Sequence, residues 1–208
     1  MKKNRALEEL CERMRQDNTL PLLPANLVFG EGDSEAKVVF VGEAPGKNED
    51  EQKRPFVGRA GQLLRKSLRE MGWKEEEVYI TNIVKRRPPD NRDPLPEEIE
   101  AYRPYLKEQL KIIDAPIIVP LGRFSMNYFL PEAKITRDQG RVFRVGGKLV
   151  MPVFHPAAAL RSTEVLKQFQ NSLKKLPIIL KKYKELLLDS TVKEEAPITE
   201  REGSGTLF

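Results

Sequence analysis

The sequence is poor in the residues that hold metal-dependent or disulfide-rich domains together. Its 208 residues include one cysteine, Cys11, and one histidine, His155. A single cysteine cannot form a disulfide within the chain, and a structural zinc site needs about four Cys or His ligands. Carboxylates could still bind Mg²⁺ or Ca²⁺, but no ligand loop of the known kinds is present. We therefore expect a hydrophobic core, and no metal, to hold the fold.

Long apolar runs are also missing. No stretch of about 18 apolar residues occurs, so the sequence predicts no membrane-spanning helix. The first residues, Met1-Lys2-Lys3-Asn4-Arg5, lead into a charged amphipathic pattern that is not typical of a secretory signal. We expect a cytoplasmic protein with one domain of ordinary hydrophobic content, 39%.

Charge is unevenly distributed along the chain. Residues 186–208 contain five acidic and two basic side chains, a net −3, so the net +5 of the whole chain leaves +8 for residues 1–185. A basic body suits a polyanionic partner, although many proteins that bind no nucleic acid have a similar charge. From about Ser190 the sequence is polar and contains Pro197 and Gly203-Ser204-Gly205. These features predict a domain over residues 1–189 and an acidic, disordered tail over 190–208.

Apolar runs alternate with segments of helical spacing. Four runs rich in Val and Ile predict buried parallel strands: Lys37–Val41, Val78–Ile83, Ile117–Leu121 and Leu149–Phe154. Helices are predicted over residues 2–16, Ala60–Met71, Pro96–Ile113, Phe124–Phe129 and Thr163–Leu188, the last kinked or divided at Pro177. The order predicts an α/β fold, a three-layer α/β/α sandwich around a short, mainly parallel sheet of about four strands.

Polar side chains follow three of these predicted strands. Gly42–Gly46 comes directly after the first strand, Asn82 ends the second, and His155 follows the fourth. In open α/β sheets, ligands bind at the carboxyl ends of the strands. A carboxylate from Glu43, an amide and an imidazole should therefore meet at one edge, and this arrangement predicts an active site.

Each motif also has a plain structural interpretation. Gly42–Gly46 could be a simple strand-to-helix turn, and it lacks the spacing of a dinucleotide or P-loop fingerprint. His155 is either a structural residue or a donor to a developing anion. Phe56, between glycines in Arg54–Gly61, is either a core residue or a stacking surface for a base. Lys85–Arg92, a basic loop braced by two prolines, is either solvated or suited to phosphate contacts.

Taken together, the motifs resemble those of family-4 uracil-DNA glycosylases, in the same order and at the same spacing. The resemblance extends from about Leu7 to Tyr183. The matching segments are Val41–Gly46 with Glu49-Asp50, Pro55–Gly61, Tyr79–Asn82, Arg87–Arg92 and His155–Arg161. The resemblance implies a monofunctional DNA repair enzyme that flips deoxyuridine out of DNA, hydrolyses its N-glycosidic bond and leaves an abasic site.

The resemblance also implies roles for individual residues. Glu43 would lie near the attacking water or the sugar cation, Asn82 would read the uracil edge, and His155 would bind the carbonyl that becomes anionic. The uracil pocket would be lined by Gly42, Ala44, Pro45, Phe56 and Asn82, with Phe56 stacking on the base. The residues expected to contact DNA are Arg86, Arg87, Arg92, Leu160 and Arg161, with Leu160 and Arg161 in the loop that enters the duplex.

One feature of the family is missing. Family-4 enzymes hold a four-iron, four-sulfur cluster with four cysteines, and the corresponding positions here are Asp17, Leu20, Arg86 and Tyr102. A single cysteine cannot hold such a cluster, so we expect a protein without a cofactor. We predict that apolar packing around Leu20 and Tyr102 replaces most of the cluster's support, with an Asp17–Arg86 ion pair as a smaller contribution.

Other interpretations remain open. The chain could act on another deaminated base, or it could be an inactive relative that only binds DNA, although the presence of Glu43, Asn82 and His155 together argues against inactivity. The expected partner is uracil-containing DNA, bound by a monomer. Gly205–Phe208 ends in the Leu-Phe pair of clamp-binding tails but lacks their upstream glutamine, so the terminus either contacts a sliding clamp or is simply solvated.

Overall fold

Strands and helices alternate along the chain. The computed structural model describes residues 2–195. The helices are α1 (Lys2–Gln16), α2 (Lys47–Gln52), α3 (Arg59–Glu70), α4 (Pro96–Ile113), α5 (Arg123–Phe129), α6 (Ile135–Asp138), α7 (Pro156–Ala159), α8 (Thr163–Leu173), α9 (Leu176–Lys181) and α10 (Tyr183–Leu188). The strands are β1 (Glu31–Gly32), β2 (Val38–Gly42), β3 (Tyr79–Asn82), β4 (Ile117–Pro120), β5 (Phe143–Val145), β6 (Lys148–Val150) and β7 (Lys193–Glu195).

One sheet runs through the molecule in the strand order β1-β3-β2-β4-β6-β5-β7. The four central strands, β3, β2, β4 and β6, are mutually parallel and correspond to the four predicted strands. The expected size of about four strands was too small, because three short strands, β1, β5 and β7, extend the sheet to seven. These short strands have two or three residues and include polar ones, as in Glu31-Gly32, so they lack the apolar runs that marked the others.

Helices cover both faces of the sheet, as predicted. Val39 and Val41 of β2 pack into a core with residues of α1 and α4, such as Leu7 and Tyr102. The alternate residues of β2 point to the opposite core, which α3 and α8 complete. The two cores give the α/β/α layers, because successive side chains of a strand point to opposite faces.

The C-terminal third is more divided than the sequence pattern indicated. Three helices, α8, α9 and α10, replace the single stretch from Thr163, and Pro177 lies in the first turn of α9, where proline is tolerated. Residues 193–195 pair with β5, so regular structure continues into the segment expected to be a tail. Residues 196–208, including the predicted clamp-binding end, lie outside the described residues. Among residues 2–195, no helix has both the length and the hydrophobicity to cross a membrane.

Candidate active site

The carboxyl ends of the central strands bring the predicted site residues together. Gly42, the last residue of β2, lies opposite Asn82, the last residue of β3. A methyl group on Gly42 would overlap Asn82 Oδ1 and lie 2.5 Å from Phe56 Cζ. The Phe56 ring also faces the His155 ring, with 5.9 Å between their centroids and 37° between their planes. Gly42, Phe56, Asn82 and His155 therefore form one cluster, and only glycine leaves room for it at position 42.

His155 is held in one protonation state. It caps α7, and its Nδ1 accepts a hydrogen bond of 3.2 Å from the backbone N–H of Ala157. Burial lowers the pKa of His155 to about 4, and the nearby Glu49 carboxylate opposes this shift only in part. The imidazole is therefore neutral near pH 7, and because Nδ1 accepts a bond, its proton lies on Nε2. His155 can thus donate one hydrogen bond from Nε2.

Glu43 follows Gly42 in a turn that the neighbouring strand anchors. The carbonyls of Gly42 and Glu43 accept hydrogen bonds from the N–H groups of Ile83 and Val84, at 2.9 and 3.0 Å. No side-chain hydrogen bond of Glu43 occurs within the described chain. Burial raises the pKa of Glu43 to about 7, with Asp93 adding to the shift and Arg123 opposing it. The carboxyl group can therefore gain or lose a proton near neutral pH.

Asn82 is a buried amide without a protein partner. Its exposed fraction is 2%, and its side chain makes no hydrogen bond to any residue in the described range. The amide beside Phe56 is therefore available to a ligand. Ala44 and Pro45 continue the turn from Glu43, half-buried and buried respectively.

Phe56 is a core residue whose ring also lies at the carboxyl edge of the sheet. It belongs to the buried core on the α3 side of the sheet, and its ring also lies against Gly42 and His155. Its backbone adopts a left-handed conformation with φ +53°. The core interpretation and the stacking interpretation are therefore compatible.

The five residues expected to contact DNA have different surroundings in the structure. Leu160, at the end of α7, is 45% exposed, and Arg161 beside it is exposed. Arg87 is half-buried and donates to Asn91 Oδ1 at 2.7 Å. Arg92 is partly exposed and makes two bonds to Glu98, at 2.8 and 2.6 Å.

Arg86 does not fit the expected phosphate contact. Its side chain is buried, with 7% of the residue exposed, and it donates to the carbonyl of Ala25. The reason is its place four residues after β3, where its side chain reaches the N-terminal segment rather than solvent. Arg86 therefore belongs to the structural corner described next.

The positions of the family's cluster ligands lie in a filled corner of the fold. The residues of this corner are Asp17, Leu20, Arg86 and Tyr102. Tyr102 is fully buried, and its hydroxyl donates to the carbonyl of Pro21 at 2.8 Å; Leu20 is buried as well. The expected Asp17–Arg86 ion pair is not formed in the described structure. Asp17 instead accepts hydrogen bonds from Thr19 and from the Tyr105 hydroxyl, at 2.9 and 2.5 Å. Asp17 lies on the outer side of the corner, whereas Arg86 is bound inside it.

This corner does not fit an iron–sulfur cluster. None of its four residues offers a thiolate, and the Tyr102 and Leu20 side chains occupy the interior. Over residues 2–195, no group of three or more His, Cys, Asp or Glu side chains is arranged to hold a metal ion.

Four other residues at this edge of the sheet received no role from the sequence. Glu49 and Arg65 bind the backbone around Phe56. Asp93 raises the pKa of the Glu43 carboxyl, and Arg123 lowers it. Glu49 stood within a recognised motif, but motif position alone does not say what a side chain binds. Arg65 and Arg123 lie in helices, where charged residues usually face solvent, so the sequence carried no signal for them.

Comparisons with known proteins identify uracil-DNA glycosylases as relatives of this chain. The family model described as "Uracil DNA glycosylase superfamily" matches residues 29–177. A type-4 uracil-DNA glycosylase of Thermotoga maritima is 43% identical over 183 residues, which cover 85% of this chain and 95% of that protein. Type-4 uracil-DNA glycosylases of Archaeoglobus fulgidus and Sulfurisphaera tokodaii are 42% and 45% identical. Those matches cover 79% and 73% of this chain and 87% and 73% of the relatives.

Proposed function

This chain belongs to the uracil DNA glycosylase superfamily, and we propose that Glu43, Phe56, Asn82 and His155 are the groups with which it excises uracil. The chain is a uracil-DNA glycosylase, an enzyme that hydrolyses the bond between uracil and deoxyribose in DNA. The observation that carries the residue assignment is that an unpartnered amide and a neutral imidazole lie with Phe56 and Gly42 at the carboxyl edge of the sheet, directly before the turn that bears the Glu43 carboxyl.

The first step is capture of the base. Uracil inside a duplex cannot be reached, so the nucleotide must rotate out of the helix. In the pocket, the ring of Phe56 stacks on the flipped base, which stabilises it by about 1–3 kcal/mol. Asn82 offers both a donor and an acceptor, so it pairs with the O4 and N3–H of uracil. Cytosine presents the opposite pattern at this edge and would leave the buried amide unpaired.

The second step is cleavage of the glycosidic bond. As the bond breaks, uracil gains negative charge and the sugar gains positive charge. His155 donates its Nε2–H to the uracil carbonyl that becomes anionic, and one such donor contributes about 3–4 kcal/mol. Glu43, as the carboxylate, stabilises the sugar cation and orients the water that adds to C1′. The water loses a proton, uracil leaves as the anion and is then protonated, and an abasic site remains.

DNA is held by groups around the pocket. Leu160, exposed beside the cap formed by His155, fills the gap that the flipped base leaves. Arg87, Arg92 and Arg161 contact phosphates. An arginine has five N–H donors, so Arg92 can keep its two bonds to Glu98 and still bind a phosphate. The substrate is uracil-containing DNA, and no residue assignment here requires a cofactor.

Strand cleavage by alkali after incubation tests the substrate assignment. Matched oligonucleotides would contain uracil, hypoxanthine or xanthine, each as a single strand and as a duplex. We expect cleavage at uracil. Cleavage only at hypoxanthine or xanthine would favour the alternative of another deaminated base, and tight binding without cleavage at any base would favour the inactive relative.

A further inference from the structure

The backbone at Phe56 is held in a conformation that a bulky residue rarely adopts. Its φ of +53° lies in the left-handed region. Such a conformation is strained for a bulky residue and persists only where its surroundings fix it. The same residue carries the ring that lies against Gly42 and His155. The contacts that fix the backbone therefore also fix the ring.

Arg65 of α3 supplies the first of these contacts. Its Nε donates to the carbonyl of Phe56 and its Nη2 to the carbonyl of Pro55, both at 2.8 Å. The side chain is nearly buried, and it is oriented in turn by the carboxylates of Glu31 and Glu75, the latter at 2.7 Å from Nη1. An arginine with partners on all sides can hold a loop in one conformation, because its guanidinium group is planar and rigid.

Glu49 of α2 supplies the opposing contact. Its Oε1 accepts hydrogen bonds from the N–H groups of Val57 and Gly58, at 3.0 and 2.7 Å. Gly61 of α3 closes the remaining side, since a methyl group there would collide with the Phe56 carbonyl. Carbonyls of residues 55–56 thus face a cation, N–H groups of residues 57–58 face an anion, and the helix backbone packs directly against the turn.

We propose that Arg65 is a positioning residue for uracil capture, which acts by holding the Phe56 ring at the pocket wall together with Glu49. The proposal rests on the assigned role of Phe56 as the stacking surface. The competing explanation is that Arg65 only ties α3 to the carboxylates of Glu31 and Glu75 and so supports the fold. The two explanations differ in whether the effect of losing Arg65 depends on the Phe56 ring.

A double-mutant cycle separates them. Arg65→Lys keeps a positive charge but cannot bind both carbonyls and both carboxylates, and the Phe56→Ala variant has no ring to position. In the wild-type background, we expect Arg65→Lys to slow single-turnover uracil excision by about 10–100-fold, as a misplacement of about 1 Å can. In the Phe56→Ala background, the same substitution should slow excision by less than about 2-fold, because coupled residues are not additive.

Arg69→Gln is the matched control. Arg69 lies one turn further along α3 and also pairs with Glu75, but its side chain is mostly exposed and, within the described structure, makes no hydrogen bond to residues 55–58. We expect this variant to excise uracil at the wild-type rate. If Arg69→Gln slows excision as much as Arg65→Lys does, the effect comes from the ion pairs of α3 and the proposal is overturned.

The remaining outcomes also decide the question. An equal slowing by Arg65→Lys in both backgrounds would overturn the positioning role while leaving Phe56 as the stacking residue. If Phe56→Ala itself excises at the wild-type rate, the assigned role of Phe56 fails, and the proposal fails with it. Should Arg65→Lys not fold, Glu75→Gln loosens the same guanidinium group, and its smaller slowing should likewise disappear in the Phe56→Ala background.

Discussion

The pocket edge, formed by Gly42, Phe56, Asn82 and His155, and the corner, formed by Asp17, Leu20, Arg86 and Tyr102, differ in how their polar side chains are bound. At the pocket edge, the Asn82 amide has no hydrogen-bond partner within the described chain. In the corner, the Tyr102 hydroxyl donates to Pro21 and Arg86 Nη1 to Ala25, although Arg86 Nε is buried without a partner among the described residues. A polar group without a protein partner can bind a ligand, whereas groups bound to the backbone tie chain segments together. The comparison therefore supports a binding role for the pocket edge and a structural role for the corner.

The same contrast appears within one motif. Glu43 makes no side-chain hydrogen bond in the part of the chain that the structure describes, and its pKa is raised to about 7. Glu49, six residues later, accepts two backbone hydrogen bonds. Two carboxylates six residues apart therefore differ in their surroundings: the first has no hydrogen-bond partner among the described residues, and the second is bound to the backbone of residues 57–58.

Removing the imidazole should give the largest change at the pocket edge. We expect His155→Ala to slow single-turnover uracil excision by about 10²–10³-fold, because the donor to the leaving uracil is lost. Affinity for uracil-containing duplex should change little, since this bond strengthens only as charge develops. Fluorescence anisotropy measures that affinity beside the excision rate. An unchanged rate would place the donor elsewhere, and a matching loss of affinity would make His155 a binding residue.

Changing the amide to a carboxylate should alter selectivity. Asn82→Asp removes the N–H donor that pairs with uracil O4, so we expect uracil excision to fall by on the order of 10²-fold and weak cytosine excision to appear. Oligonucleotides that differ only in uracil or cytosine at one position provide the measurement. Full uracil activity in this variant would show that another group reads the base and that Asn82 is merely buried.

The raised pKa of Glu43 should be visible in the pH dependence. If the carboxylate is the active form, excision should rise with pH through about 7 and then level off, and Glu43→Gln should be slow at every pH. The exposed Glu51 provides a control, because Glu51→Gln should keep the wild-type profile. A wild-type rate that is flat from about pH 5 to 9 would contradict the role of Glu43.

The stability of the protein should change with pH in the opposite direction to its excision rate. The folded state raises the pKa of Glu43 above its ordinary value of 4.5, so between 4.5 and about 7 the folded protein binds more protons than the unfolded chain. The contribution of Glu43 to stability therefore falls as pH rises through this range. Thermal unfolding should show that Glu43→Gln gains stability relative to wild type as pH rises from about 4 to 8.

The sequence predicted the parts of this molecule that follow from apolar periodicity and strand order. The four central strands, and the meeting of Asn82 with Gly42, follow from parallel strands ending at one edge. Periodicity could not reveal that Arg86 turns inward or that Arg65 reaches the Phe56 carbonyl, because both depend on long side chains crossing between elements. The strands β1, β5 and β7 escaped notice because each is only two or three residues long, too short to show a periodic apolar pattern.

Substitutions in the corner should have the smallest effect on activity and a clear effect on stability. Tyr102→Ala should remove about 3–5 kcal/mol from the free energy of unfolding, since it empties a fully buried aromatic site. The melting temperature should fall by on the order of 10 °C, because about 1 kcal/mol corresponds to 2–4 °C at this chain length. Tyr102→Phe, which keeps the ring but removes the hydroxyl and its contacts with Pro21 and Arg86, should cost about 0.5–1.5 kcal/mol.

Asp17→Ala sharpens this last prediction. Asp17 is partly exposed and bound to Thr19 and Tyr105 rather than to Arg86, so its loss should cost about 1 kcal/mol or less. Calorimetry on the three variants should therefore rank Tyr102→Ala as most damaging, with uracil excision at a permissive temperature unchanged in all of them. If Asp17→Ala lowered the melting temperature more than Tyr102→Ala, polar bonds rather than packing would support the corner. A brown protein with stoichiometric iron would break the comparison altogether, since the corner would then bind a cluster that its four side chains cannot ligate.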